Sequence, residues 1–223
     1  PEAESLHRAA LALREEVLGP THPEVGQSLN NLSNLLYAQA RFGEAEAALS
    51  RALPLLEGAL GPAHSEVAQL RSNLGLILHA QGKHDAAEVE LRRALELWEA
   101  ALGPDHANVG LVRNNLALVY YAKEDYVAAE VEYRKAVAVQ EKALGVDHPN
   151  VATSRGNLAQ VLLERDELEE AEAEHRKVLA VQLRVLGPGH PDVARSHNNL
   201  AQVLIARQAH AEAETELRLA ESG

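Results

Sequence analysis

One phrase recurs five times in this chain at a fixed spacing of 42 residues, and that recurrence restricts the fold more than any other feature. GPTHPEV (19–25), GPAHSEV (61–67), GPDHANV (103–109), GVDHPNV (145–151) and GPGHPDV (187–193) align without a gap. Glycine is always first, histidine fourth and valine seventh. Twelve residues after each glycine stands an asparagine followed by leucine, at Asn31, Asn73, Asn115, Asn157 and Asn199. Such self-similarity marks an array, in which each unit is too small to bury its own apolar face and does so against its neighbours.

Each unit reads as two helices. The first runs from the Pro or Ser after the histidine to about Gln39 in the first repeat, with Val25, Leu29, Leu32 and Leu36 on one stripe. The second starts near Glu44 and ends at Leu60, before Gly61 and Pro62, the residue pair that stops a helix. It carries a recurring pair, Ala45 and Glu46, Ala87 and Glu88, Ala129 and Glu130, Ala171 and Glu172, Ala213 and Glu214. Residues 1–18 align with a second helix, Ala3 matching Ala45, so eleven helices are expected. The expected division is a single repeat domain over 1–223: a lead helix at 1–18, then repeats at 19–60, 61–102, 103–144, 145–186 and 187–223. Pro54, with Gly58 after it, predicts a kink or early end in the first of the full second helices. Period-two alternation, the mark of strands, is missing.

A period of 42 also suits HEAT, armadillo or WD40 arrays, so the internal spacing decides. Leu116, Ala117, Tyr120, Ala129, Tyr133 and Ala136 in the third repeat, and Leu74, Gly75, Leu78, Ala87, Leu91 and Ala94 in the second, alternate small and large residues along both helices. This spacing resembles the tetratricopeptide pattern. The corner phrase with its histidine, and the stretch RNNLALVYYAKEDYVAAEVEYRKAVAVQEKALGVDHPNVA (113–152), resemble the repeats of kinesin light chains and their bacterial relatives. The resemblance covers essentially the whole chain. It implies an all-α fold, a right-handed superhelical solenoid of tetratricopeptide helix pairs, and a non-catalytic role in binding protein or peptide partners.

The five histidines His22, His64, His106, His148 and His190 tempt a metal reading. Zinc needs its nitrogens at about 2.0–2.1 Å, whereas equivalent points on packed helices lie about 8–10 Å apart, so one ion cannot gather them. Their place before the first turn suits them to serve the orphan N–H groups of the following helix. Glu88 and Arg92, Glu130 and Arg134, Glu172 and Arg176, Glu214 and Arg218 stand four apart with the acid first, the favourable order for pairs on a solvated helix face.

The asparagines need more explanation, because each costs several tenths of a kcal/mol in a helix interior. Advancing about 100° per residue, Val109, Leu116 and Tyr120 cluster on the core side while Leu111, Asn115, Leu118 and Ala122 gather on a second face. In a stacked array first helices line the concave surface, so that face becomes a groove. The first repeat contributes Gln27, Asn30, Asn31, Asn34 and Tyr37, and the second Gln69, Asn73 and Leu76. The third adds Leu111, Asn114, Asn115, Leu118 and Tyr121, the fourth Asn157 and Gln160, the fifth Arg195, Asn198, Asn199 and Gln202. Two roles are open: the amides brace neighbouring repeats, or they grip the backbone of an extended peptide. The resemblance supports gripping, since first-helix asparagines of kinesin light chains and of chaperone-tail-binding tetratricopeptide domains contact ligand peptides. Gln27, Gln69, Leu111 and Thr153 stand where kinesin light chain grooves carry basic residues, and only Arg195 is basic. Leu76, Leu111, Leu118 and Tyr121 instead suit a peptide with hydrophobic anchors.

A net charge of −12 argues against nucleic acid, and no apolar run approaches the roughly 20 residues that cross a bilayer. The first eighteen residues have no secretory-signal pattern, so a cytoplasmic location is expected by default. Cysteine is absent, which removes thiol chemistry; methionine is absent too, so an excised segment or processed product is expected. No phosphate loop, nucleophile elbow or metal helix appears, so neither catalysis nor a cofactor is expected. The alternatives are a structural or self-associating array, joined through apolar faces at both ends, and a sensor segment of a larger signalling protein.

Overall fold

The computed structural model describes residues 2–222; the expected domain limits at Pro1 and Gly223 lie outside the described residues. Eleven helices and no strand are found among the described residues: α1 (Glu2–Leu18), α2 (Pro23–Ala38), α3 (Phe42–Leu60), α4 (Ser65–Ala80), α5 (His84–Leu102), α6 (Ala107–Ala122), α7 (Tyr126–Leu144), α8 (Pro149–Glu164), α9 (Leu168–Leu186), α10 (Pro191–Ala206) and α11 (His210–Ser222). The chain forms two compact units, one ending at Pro104 with α1–α5 and one starting at Asp105 with α6–α11. Within each, consecutive helices pack side by side, and first helices of neighbouring pairs also touch, α2 with α4 and α6 with α8. Each unit is thus a segment of all-α repeat solenoid. No described helix is long and apolar enough to cross a membrane.

The recurring phrase is a helix stop followed by a helix start. Gly61, Gly103, Gly145 and Gly187 take φ between 81° and 87° with ψ between 152° and 162°. That region is open to glycine alone, which is why no other residue stands there in any repeat. Three residues on, each histidine adopts an extended backbone, and its Nδ1 accepts the N–H of the residue two ahead. The distances are 3.3 Å at His22, 3.2 Å at His64 and His106, and 3.1 Å at His148 and His190. The imidazoles are N-caps. Removing one acceptor leaves a helix-end donor without its partner, so His64→Ala should lower stability by about 1 kcal/mol, with His64→Asn restoring most of it in a urea titration.

The turn inside each pair is a Schellman closure. The residue after the cap of α2, Ala40, has φ 57°, and Arg41 N–H returns to the Leu36 carbonyl at 2.9 Å. Glu124, Asp166 and Gln208 repeat the positive φ without glycine's freedom; only Gly82 has it. This turn carried no glycine signal and is held by its hydrogen bonds.

The core follows the alternation of small and large residues. Ala45, Ala87, Ala129 and Ala171 are fully buried and let paired helices approach, while Leu49, Leu91 and Tyr133 fill the layer between them. At Gly75 the approach is closest, for a Cβ there would lie 2.6 Å from Leu91 Cγ.

One expectation is corrected. Pro54 does not end its helix, and α3 runs nineteen residues, as long as α5, α7 and α9. Ser50, whose carbonyl loses its donor, and Pro54 itself are exposed, so water can serve the freed group. Ala45, Leu49, Ala52 and Leu56 on the opposite face stay packed and hold the helix together.

The expected acid-first pairs form, Glu88 with Arg92 at 2.9 Å, Glu130 with Arg134 at 2.7 Å, Glu172 with Arg176 at 2.8 Å and Glu214 with Arg218 at 2.5 Å. They also link repeats: Arg134 reaches Glu170 at 2.7 Å and Arg176 reaches Glu212 at 3.0 Å. A second set, unforeseen, is less exposed. Arg71 on α4 joins Glu57 of α3 at 2.5 Å and Glu90 of α5 at 2.7 Å, and Arg155 on α8 likewise joins Glu141 of α7 and Glu174 of α9.

Candidate functional site

The asparagines expected on a groove divide into two groups. In the first unit, Gln69 Nε2 donates to Asn73 Oδ1 at 2.9 Å, and Asn73 Nδ2 donates to Asn30 Oδ1 at 3.1 Å and Asn34 Oδ1 at 3.2 Å. These amides tie α4 to α2. Gln27 crosses the same gap, donating to Glu66 at 3.2 Å. In the second unit Asn114 Oδ1 accepts from Asn157 Nδ2 at 3.3 Å and from Ser154 Oγ at 3.0 Å, tying α8 to α6. Asn114 and Asn115 are both buried, and the Asn115 Nδ2 has no partner. Asn30, Asn34, Asn73, Asn114 and Asn157 thus offset their propensity cost with bonds between repeats, whereas a buried donor left bare costs about 1–3 kcal/mol.

The remaining amides make no such bonds. Asn31, Asn198 and Gln202 are exposed and Asn199 is half-buried, and none has a side-chain partner among the described residues. Among the apolar residues expected on this face, Tyr37 of the first unit is tilted against Phe42 with ring centres 5.5 Å apart, and Tyr121 of the second against Tyr126 at the same distance. Leu111 is 39% exposed, whereas Leu76 and Leu118 are half-buried. The Tyr121 hydroxyl donates to Glu164 at 3.2 Å, and Gln160 donates to the same oxygen at 3.0 Å. Burial and the Glu164 carboxylate push the Tyr121 phenol above its ordinary range, so it stays a donor. Arg195, the lone cation expected here, is held by Asp192 at 2.5 Å.

Chemically this face offers carboxamides, each with donor and acceptor, beside apolar surface. Among the described residues no three His, Asp or Glu side chains converge where a metal could sit. Sequence reasoning missed a cleft of about 630 Å³ in the second unit, among α8, α9 and α10, with Gly156, Asn157 and Asn199 on its walls. Its signal was present, since the position of Gly156 is Asn or Ser in every other repeat: Asn30, Ser72, Asn114 and Asn198.

A family model described as tetratricopeptide repeat matches residues 1–58, 66–142, 111–182 and 157–222. Solved structures share the fold. BtubC (BKLC) from P. vanneervenii is 20% identical, with a TM-score of 0.83 over 99% of this chain and 88% of that one. The nearly identical TPR-like repeats assigned to a kinesin light chain of Podosopora anserina are 23% identical, with a TM-score of 0.79 over 90% of this chain and 95% of that one. YrrB, a TPR protein with an unusual peptide-binding site, is 19% identical, with a TM-score of 0.57 over 86% of this chain and 83% of that one. No curated protein matches the chain in sequence.

Proposed function

The chain belongs to the tetratricopeptide repeat family, whose repeats generally mediate protein–protein interactions, and on that premise we propose that it is a non-catalytic module that binds an extended peptide along its first helices. The observation that carries the reading is the division among the amides. Asn30, Asn34, Asn73, Asn114 and Asn157 are engaged across repeats, while Asn31, Asn198, Asn199 and Gln202 keep their full hydrogen-bonding capacity. A peptide backbone presents alternating N–H and C=O groups, and a free carboxamide answers both. In the first unit the Tyr37 ring, and in the second the exposed Leu111 and the Tyr121 ring, give apolar side chains of a peptide somewhere to rest. Arg195, the cation expected on this face, is already paired with Asp192, so the partner is anchored by apolar groups rather than acidic ones. The division into one repeat domain of 42-residue units belongs to the same reading. The fold shared with YrrB, a TPR protein that has a peptide-binding site of its own, lends it support.

The two amide groups give different results when cut back. With peptides selected from a random twelve-residue display library, Asn31→Ala with Asn199→Ala should leave urea stability within about 0.5 kcal/mol and weaken binding about tenfold. Asn157→Ala should instead cost about 1 kcal/mol of stability and change affinity less than twofold. Unchanged affinity in the folded Asn31/Asn199 variant would remove these amides from ligand binding.

A further inference from the structure

We propose that the cleft among α8, α9 and α10 is a specificity pocket that takes one bulky, uncharged apolar side chain of a bound peptide, with the Asn199 carboxamide on that peptide's backbone. The inference rests on the peptide-binding reading and narrows it to one residue type at one place.

The cleft exists because one side chain is missing. At two of the corresponding positions the side chain takes part in the stack: Asn30 accepts from Asn73, and Asn114 accepts from Asn157 and Ser154. Gly156 offers nothing to Asn199, which stands one repeat on just as Asn157 follows Asn114, and Asn199 has no partner among the described residues. A Cβ added at Gly156 would meet no atom within 4 Å, so the space is open rather than closed by collapse. Glycine in mid-helix costs about 0.5–1 kcal/mol relative to alanine, and here no close backbone approach requires it.

The walls define the occupant. Val178, Val181, Val185 and Leu186 of α9 make an apolar floor with Ala152. The volume, about 630 Å³, falls in the range of roughly 300–1,000 Å³ in which small ligands bind. The charges at the rim are neutralised, Asp147 by Arg184 and Asp192 by Arg195, so an acidic or basic side chain finds no free counter-charge. Gln182 accepts from Ser196 Oγ at 2.6 Å and keeps its amide donors, which with Asn199 can meet a main-chain carbonyl and N–H. An apolar group of leucine to tryptophan size, carried on a backbone, matches these features.

The test uses isotope-labelled chain and the peptides acetyl-Gly-Gly-Xaa-Gly-Gly-amide, with Xaa Leu, Phe, Trp, Ala or Glu, followed by amide chemical shifts. Leu, Phe and Trp peptides should shift residues 152–160 and 193–199 saturably, at least tenfold more tightly than Ala or Glu peptides. Gly156→Asn restores the side chain that fills this place elsewhere and should weaken that binding at least tenfold, with melting unchanged or raised. Equal binding of Ala and Glu peptides, shifts confined to other helices, or indifference to Gly156→Asn would each overturn the pocket. Library peptides that bind the Gly156→Asn variant as well as the parent would overturn the pocket while leaving the peptide-binding reading intact. Failure of every library peptide, with isolated indole still docking in the cleft, would overturn the peptide occupant and the wider reading together.

Discussion

Acidification from pH 6.5 to pH 4 should strip about 3 kcal/mol of stability from this protein through one residue, His175. The repeat register puts His175 at the core position that Leu49, Leu91 and Tyr133 hold in earlier repeats. It is 2% exposed, and its Nε2 has no hydrogen-bond partner. Burial pushes the imidazole down to about 4, against a smaller upward pull from Glu174. Between that value and the unfolded value of about 6.5, the unfolded chain binds a proton that the folded chain refuses. Stability is therefore full well above pH 6.5, falls as pH drops through the window, and has lost most of the contribution at pH 4 and all of it below.

Replacing His175 by leucine, the residue at the equivalent positions 49, 91 and 217, should remove its part of that slope while matching or exceeding parent stability at pH 7.5. Urea titrations across the window measure the difference directly. The five capping histidines are common to both proteins and drop out of the comparison. Carboxylates with lowered values, such as Glu170 beside Arg134 and Glu46 beside Lys83, lose their contribution only on titration below about pH 4.5. A parallel decline in the two proteins would show that His175 is not the source.

Replacing Arg155 by methionine should cost about 2–3 kcal/mol, more than any exposed ion pair is worth. Its guanidinium is 17% exposed, between Glu174, which is 7% exposed, and Glu141. Burial alone would lower the guanidinium, yet Glu174 and Glu141 hold it above its ordinary value. Methionine preserves the stem but leaves two carboxylates with less compensation, and the loss reflects their burial more than the strength of the bonds. Lys177 still reaches Glu174 at 2.6 Å and limits the damage. Adding Glu174→Gln to Arg155→Met should recover at least half of the lost stability; no recovery would show that packing of the arginine stem, not charge, was the cause.

Much of this fold was legible along the chain. A 42-residue period with glycine in one corner position predicts helix pairs, and eleven helices are found near the expected limits among the described residues. The histidines were legible as caps because a residue before the first turn has few other uses. Pro54 misled, since the rule for proline in a helix does not know which face is wet. The arginine clamps were hidden for a related reason. Arg71 and Arg155 meet carboxylates 14 and 19 residues away on two different helices, spacings that no single-helix rule examines.

The asparagine face was half legible. Its residues and its side of the helix could be counted along the chain, but the rotamers that decide who bonds to whom could not. Asn73 and Asn199 occupy the same place in their repeats, yet one binds two amides of the neighbouring helix and the other binds none. The difference lies in the preceding repeat, where Asn30 gives way to Gly156.

Local chemistry was thus written in the chain alone: helix limits, caps, the glycine corners and the small positions that let helices pair. These depend on residues a few places apart, whose geometry the backbone dictates. What each polar side chain is free to do was decided only when repeats stacked, because a hydrogen bond or a cleft needs two surfaces and the sequence lists them one at a time.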